Sequence, residues 1–165
     1  MPKGSAARVT DGVAHAPPGT LTGVGSPSVR IGKRPAWRGI PTAAVSGLTS
    51  AKQASEARIT AAEAATAAAA GTPGFPAAKA SEQALKTAEG LAMGALVMAT
   101  AGPSDIHTCG MPLPIPPHGP GVVINGSTSV FIEGLPACRV GDTVLEALGP
   151  PDTIIAGEQS VIIGG

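Results

Sequence analysis

The side chains of this sequence that can bind a transition metal are its three histidines and two cysteines: His15, His107, His118, Cys109 and Cys138. Imidazole and thiolate are the ligands that zinc prefers, and a structural zinc site takes four ligands in a closed tetrahedron. Cys109 stands two residues after His107, and His118 follows the proline-rich segment 111–117. Because such a segment is extended and stiff, it can carry ligands without regular secondary structure.

The elements that must position these ligands are short repeated strands. Residues 25–38 (GSPSVRIGKRPAWR) and 126–139 (GSTSVFIEGLPACR) match at a constant offset of 101, and a truncated third copy, GEQSVIIG, spans 157–164. A further echo relates Arg8-Val-Thr-Asp11 to Arg139-Val-Gly-Asp142. The alternating Ser-Val-x-Ile pattern predicts half-buried strands, and the glycines permit tight turns. Since a lone hairpin is unstable, we predict three hairpins around one axis; a generic small β-sandwich is the alternative.

The repeats suggest which ligands meet. His15 and His118 both stand upstream of a repeat, before Gly25 and Gly126. Rotation of the repeats about an axis would bring these imidazoles together at one end. We therefore predict a zinc site, with the ligands His15, His107, Cys109 and His118. Cys138 aligns with Trp37 at a packing position, so Cys109 is the preferred sulfur; Cys138 as the ligand and a Cys109–Cys138 disulfide stay open alternatives.

An alanine-rich segment interrupts the repeats. The composition divides the chain into a first β part at 1–49, a helical hairpin at 50–102 and a second β part at 103–165. We predict one helix over about 51–70, capped by Ser50, and a second from Ala77 or Ala78 to Ala99. The uncharged apolar run near the end of the second helix is shorter than the roughly 20 residues that a membrane span needs, so we expect no stable span.

Charge and motif content exclude several classes of protein. Eleven basic residues balance eleven acidic ones, without the basic patch of a nucleic-acid-binding protein. Neither a nucleophile elbow nor an H-E-x-x-H helix occurs, so we expect no enzyme. The N-terminus has no apolar h-region, so we expect synthesis in the cytoplasm without a secretory signal.

The stretch HGPGVVINGSTSVFIEGLPACRVGDTV resembles the PAAR repeat family, named for its Pro-Ala-Ala-Arg motif. That motif reads Pro136-Ala-Cys-Arg139 and Pro35-Ala-Trp-Arg38 here, and the resemblance covers roughly residues 5–40 and 103–165. It implies a mainly β fold, a small cone with three-fold pseudosymmetry, into which the α-helical hairpin is inserted. It also implies a zinc ion near the sharp apex, held by three histidines and one cysteine.

The same resemblance implies a bacterial structural protein that caps and sharpens the trimeric central spike of a contractile injection machine. Type VI secretion systems, phage tails and phage-tail-like particles are such machines. One copy would sit on each VgrG-like or phage-spike trimer and leave the cell with the particle, with effector cargo as a further partner. The alternatives are a helical insert that docks effectors or acts on membranes, and a small zinc hydrolase.

Overall fold

The computed structural model describes residues 2–14, 19–109 and 118–165. Most elements in these ranges are short strands. The strands are β1 Gly4–Ala6, β2 Gly12–Val13, β3 Gly19–Thr20, β4 Arg30–Ile31, β5 Arg34–Pro35, β6 His107–Cys109, β7 Gly119–Val123, β8 Phe131–Ile132, β9 Leu135–Pro136, β10 Thr143–Glu146, β11 Asp152–Thr153 and β12 Glu158–Ile163. The helices are α1 Thr42–Ala68 and α2 Phe75–Ala101.

Three antiparallel strand pairs correspond to the three repeats. In β4–β5 Arg30 pairs with Pro35, and in β8–β9 Phe131 pairs with Pro136, so the offset of 101 is kept in the register. The third pair joins the two ends of the chain, because β12 pairs with β1. The copy that the sequence shows as truncated is therefore completed by the N-terminal strand, whose Ser5-Ala-Ala-Arg8 is the third Pro-Ala-x-Arg-like quartet.

A ring of backbone hydrogen bonds closes the three units around one axis. The amide of Ala7 donates to the carbonyl of Cys138 (2.9 Å), that of Trp37 donates to Ala7 (2.9 Å), and that of Cys138 donates to Trp37 (3.0 Å). These residues hold the same place in the three quartets. The cyclic pattern confirms the packing of three units about an axis and disfavours the sandwich alternative.

A buried arginine follows each ring residue and pairs with an aspartate. Arg8 bonds to Asp11 and Arg139 to Asp142, in both cases three residues on. Arg38 makes the corresponding bond to Asp105, which is 67 residues away. The helical hairpin is thus inserted into the Arg–Asp turn of the second unit.

The core is layered along the axis. One cluster, beneath the strand pairs, contains the alanines Ala6, Ala36 and Ala137 with Ile132 and Ile163. The next surrounds the ring with side chains from the strands that follow it, among them Val13, Leu21, Trp37, Val123, Val144 and Ile154. Small residues in the first layer let the three units of the chain approach the axis closely, so a chain with few aromatics can still fill its interior.

The helices begin earlier than predicted. Ser50 was expected to cap the first helix, but it lies inside α1, which begins at Thr42 after Pro41. Val45 and Leu48 belong to the cluster against the sheet, and this packing extends the helix beyond the alanine-rich segment. Likewise α2 begins at Phe75 rather than Ala77 or Ala78, because a proline is tolerated in the first turn.

The hairpin packs on the outer face of the sheet β11-β10-β7-β6. Leu48, Met93 and Val97 contact Val122 and Leu145, which alternate with the inward-facing Val123 and Val144. The rest of the hairpin is held by ion pairs between its helices, such as Arg58–Glu89 and Lys86–Glu63. Among the described residues, no helix is both long and apolar enough to cross a bilayer.

The predicted fold class, mainly β with an inserted helical hairpin, is therefore confirmed. The division of the chain at residues 49/50 and 102/103 stays a prediction.

Candidate metal centre

Three neighbouring strands bring the potential ligands together. His107 and Cys109 lie on β6, His118 directly precedes β7, and Glu146 ends β10. Gly121 of β7 pairs with both His107 and Glu146. A Cβ at this glycine would lie 2.8 Å from Cγ of Glu146, so the absence of a side chain at Gly121 lets the carboxylate turn inward.

Cys109, His118 and Glu146 form a buried group whose ligand atoms all lie within 4.8 Å of one another. Sulfur, nitrogen and oxygen donors at such spacing can hold a metal ion, and this donor set is typical of zinc. The short strand pairing fixes two of the three, because Cys109 is opposite Gly119, the residue after His118.

Glu146 stands between two imidazoles. Its Oε2 lies 2.6 Å from Nδ1 of His118, and its Oε1 lies 3.3 Å from Nε2 of His107. The side chain is completely buried. A carboxylate beside a ligating imidazole fixes the orientation of the ring and makes it a better ligand, so Glu146 can act as an orienting group as well as a donor.

Of the four predicted ligands, Cys109 and His118 belong to this group with Glu146. His107 is not part of the group, although its Nε2 lies near Oε1 of Glu146. His15 lies outside the described residues. Cys138 belongs to the hydrogen-bonded ring in the core, where burial strongly raises the pKa of its thiol. Cys109 and Cys138 are not joined by a disulfide, so that alternative is wrong.

Glu146 was missed at the sequence level, although a signal for it exists. Cys109 stands four residues after Asp105, and Glu146 stands four residues after Asp142. These aspartates are equivalent in the three-fold arrangement, since each pairs with the arginine after a ring residue. In the remaining unit, the residue four positions after Asp11 is His15.

The absence of a side chain at Gly149 allows the observed position of the His118 imidazole. This glycine has a φ of +79°, and a Cβ on it would lie 2.8 Å from Nε2 of His118. The imidazole therefore packs directly on the backbone of the segment after β10. A side chain at position 149 would both strain the backbone and displace the ring.

The helical insert also reaches the site. The Nζ of Lys52 on α1 donates to the carbonyl of Ala147, the residue after Glu146, at 3.2 Å. Burial lowers the pKa of Lys52, while the charges of Glu56 and Glu146 oppose that shift. The insert thus places a cation beside a strand that carries a buried carboxylate.

Residues 115–165 match the family model described as PAAR motif. This part of the chain carries a PAAR motif. The matched residues include β7 to β12 and therefore Glu146, His118 and one of the three strand pairs. Comparison with curated proteins and with solved structures found no significant match. The PAAR family is structural rather than enzymatic, and the motif supports a spike-tip role in a contractile injection system.

Proposed function

We propose that this PAAR-repeat protein caps the trimeric central spike of a contractile injection machine and acts without catalysis. The observation that supports this most strongly is the ring formed by Ala7, Trp37 and Cys138. Through this ring a single chain builds three similar units around one axis. Such a chain can match a partner that has true three-fold symmetry.

The docking surface in this proposal is the outer face of the three strand pairs. Ile132 and Ile163 point into the core, whereas the preceding residues, Phe131 and Ile162, are 54% and 60% exposed. Exposed large apolar side chains that form a common surface indicate a binding site. A single copy of the chain would thus cover the end of a trimer.

The three buried Arg–Asp pairs suit a tip that is loaded along its axis. The backbone amide of each arginine also donates to the same aspartate, at 2.8–2.9 Å. Each pair therefore closes the turn that leads from the ring towards the metal centre. Arg8 and Arg38 reach further, to Glu158 and Glu133, and so tie these turns to the strand pairs.

We further propose a structural zinc ion at the metal centre, with His15, His107, Cys109 and His118 as the ligands. Cys109 and His118 lie at ligand spacing, and the sequence position of His15 corresponds to those of Cys109 and Glu146. A structural zinc takes four such ligands, and Glu146 then orients the imidazoles. The ion would contribute directly to folding free energy.

Metal analysis of two cysteine variants tests the zinc site. Cys109→Ala should lose the zinc that the wild-type protein carries. Cys138→Ala is the matched control, because Cys138 is equally buried but stands where Ala7 stands in another unit. Equal zinc content in the two variants would contradict the ligand assignment.

Native mass spectrometry with the purified spike trimer from the same genome tests the capping. We expect one copy of the chain per three spike chains. Phe131→Ser should weaken the complex, whereas Leu91→Ser, at a 72% exposed position on α2, should leave it unchanged. A complex of three copies per trimer would refute the pseudosymmetric match.

A second role, cargo attachment through the helical hairpin, is favoured by the exposure of Leu91 and Met98 on the same helix. In this proposal the hairpin carries effectors, and the tip leaves the cell with the particle. Secretion assays with Leu91→Ser should then show loss of cargo while the spike is still capped. Unchanged cargo delivery by Leu91→Ser would contradict this role.

A further inference from the structure

The three exposed strand pairs are not equivalent in charge. Arg30, Phe131 and Ile162 hold the same position, since each directly precedes an isoleucine and pairs with the first residue of a Pro-Ala-x-Arg-like quartet. Two of the three are thus large and apolar, and one is a guanidinium. Arg34 of the same strand pair replaces Leu135, and Lys33 replaces Gly134.

The first strand pair is therefore a basic hairpin, defined by Arg30, Lys33 and Arg34. Arg34 is compensated, because it lies 3.2 Å from Asp11. Within the described part of the chain, Arg30 and Lys33 have no carboxylate in ion-pair range, and Arg30 bonds only to the carbonyl of Lys33 at 3.4 Å. These two charges are available to a partner.

A homotrimer presents the same surface three times. If the proposed capping is correct, identical surfaces must accept Phe131, Ile162 and Arg30 at equivalent positions. A purely apolar partner surface would not bind well at Arg30, because covering a guanidinium without a partner carries a large desolvation cost. A purely charged partner surface would not bind well at Phe131 and Ile162.

We propose that each protomer of the partner trimer presents an apolar side chain next to a rim carboxylate. The apolar side chain packs against Phe131 and Ile162, and the carboxylate pairs with the basic hairpin. At the other two positions the carboxylate stays in water at the edge of the contact. This inference rests on the proposed capping and specifies the chemistry of the partner.

The arrangement makes a directional prediction about position 162. Because every protomer carries the same carboxylate, Ile162→Arg should gain an ion pair at a second protomer. Ile162→Glu, at the same exposed position, should face a like charge. Rim charges act mainly on association rate and salt dependence, so the two variants should separate most clearly at low salt.

The test measures dissociation constants of the full-length protein and its variants with the purified spike trimer from the same genome. Measurements at about 0.1 M and about 1 M salt span Debye lengths of about 10 Å and about 3 Å. At the lower salt, Ile162→Glu and the double variant Arg30→Glu/Lys33→Glu should bind at least about tenfold more weakly than wild type, and Ile162→Arg within about threefold of it. At the higher salt these losses should shrink.

The outcomes separate this inference from the capping itself. If the wild type forms the one-per-trimer complex but Ile162→Arg and Ile162→Glu weaken it equally, the surface is apolar and the inference fails. A salt-independent loss in Arg30→Glu/Lys33→Glu would also overturn it. If the wild type forms no complex with the trimer, the capping proposal fails and this inference fails with it. Circular dichroism of each variant identifies any loss of binding that reflects misfolding.

Discussion

Substitution of Gly149 by alanine should release the proposed zinc ion from a protein that otherwise folds normally. The new Cβ would lie 2.8 Å from Nε2 and 3.0 Å from Cδ2 of His118. Real contacts of this kind do not occur, so the imidazole must move. Zinc–ligand distances tolerate only about 0.2 Å of error, and the site would lose a ligand or bind it in poor geometry.

The expected loss of stability is estimated by comparison with a matched control, Gly134→Ala. Gly134 has a φ of +78°, almost the same as the +79° of Gly149, but a Cβ there would meet nothing within 4 Å. Both alanine variants therefore bear the left-handed backbone cost of about 1–2 kcal/mol. Only Gly149→Ala should also weaken zinc binding, by about 10–100-fold, which corresponds to about 1.4–2.7 kcal/mol. At about 2–4 °C per kcal/mol for a chain of this size, the zinc-loaded variants should differ by about 3–11 °C.

Calorimetric unfolding with and without a chelator measures this difference directly. We expect Gly149→Ala to melt below Gly134→Ala when zinc is present, and the gap to narrow when the metal is removed. Elemental analysis of the same samples reports zinc content. Equal zinc content in both variants, together with an equal melting temperature, would show that His118 does not ligate the metal.

Three further changes test other parts of the structure. His107→Val should lower zinc content and still leave the metal-free protein folded, because the other two units have valine at this position; denaturant titration with a chelator checks this. Asp105→Asn should cost about 1.5–3 kcal/mol in denaturant unfolding, because it weakens the buried hydrogen bonds to Arg38 while the guanidinium keeps its ion pair with Glu133. Hydrogen bonds from Lys86 and Lys79 lower the pKa of Glu82 from 4.5 to about 2. The stability that the ionised Glu82 contributes is therefore present above about pH 4.5 and is lost as the pH falls towards about 2. Circular dichroism should show this acid loss of helix in the wild type and a weaker pH dependence in Glu82→Gln.

The strand pairs could be predicted from the sequence because their signal is local. Ser26 and Ser127 show this most directly, since each backbone amide donates to an alanine carbonyl ten residues on, and each hydroxyl accepts from the amide three residues on. Equal spacing of turn and strand residues produces equal hydrogen bonds. The third pair could not be found in this way, because its strands lie at opposite ends of the chain.

The metal centre was only partly predictable for a related reason. Histidine and cysteine stand out by residue type, but Glu146 does not, because surface glutamates are common. Glu146 lies four residues after Asp142. That spacing indicates a ligand position only when the three Arg–Asp pairs are known to be equivalent. His107, in contrast, stands out by residue type, but it occupies a core position that is filled by Val13 and Val144 in the other units.

The location of the helical insert explains how a small β body can carry it. Arg38 and Asp105 join the two ends of the insert through the same kind of buried ion pair that Arg139 and Asp142 form across a four-residue turn. Because the entropic cost of a longer loop grows only slowly with its length, a turn that is already closed by a buried ion pair can be extended without opening the ring. The insert then gains stability by packing on Val122 and Leu145, which face away from the axis. Changes in the far part of the hairpin should therefore leave the proposed capping of a trimer unaltered.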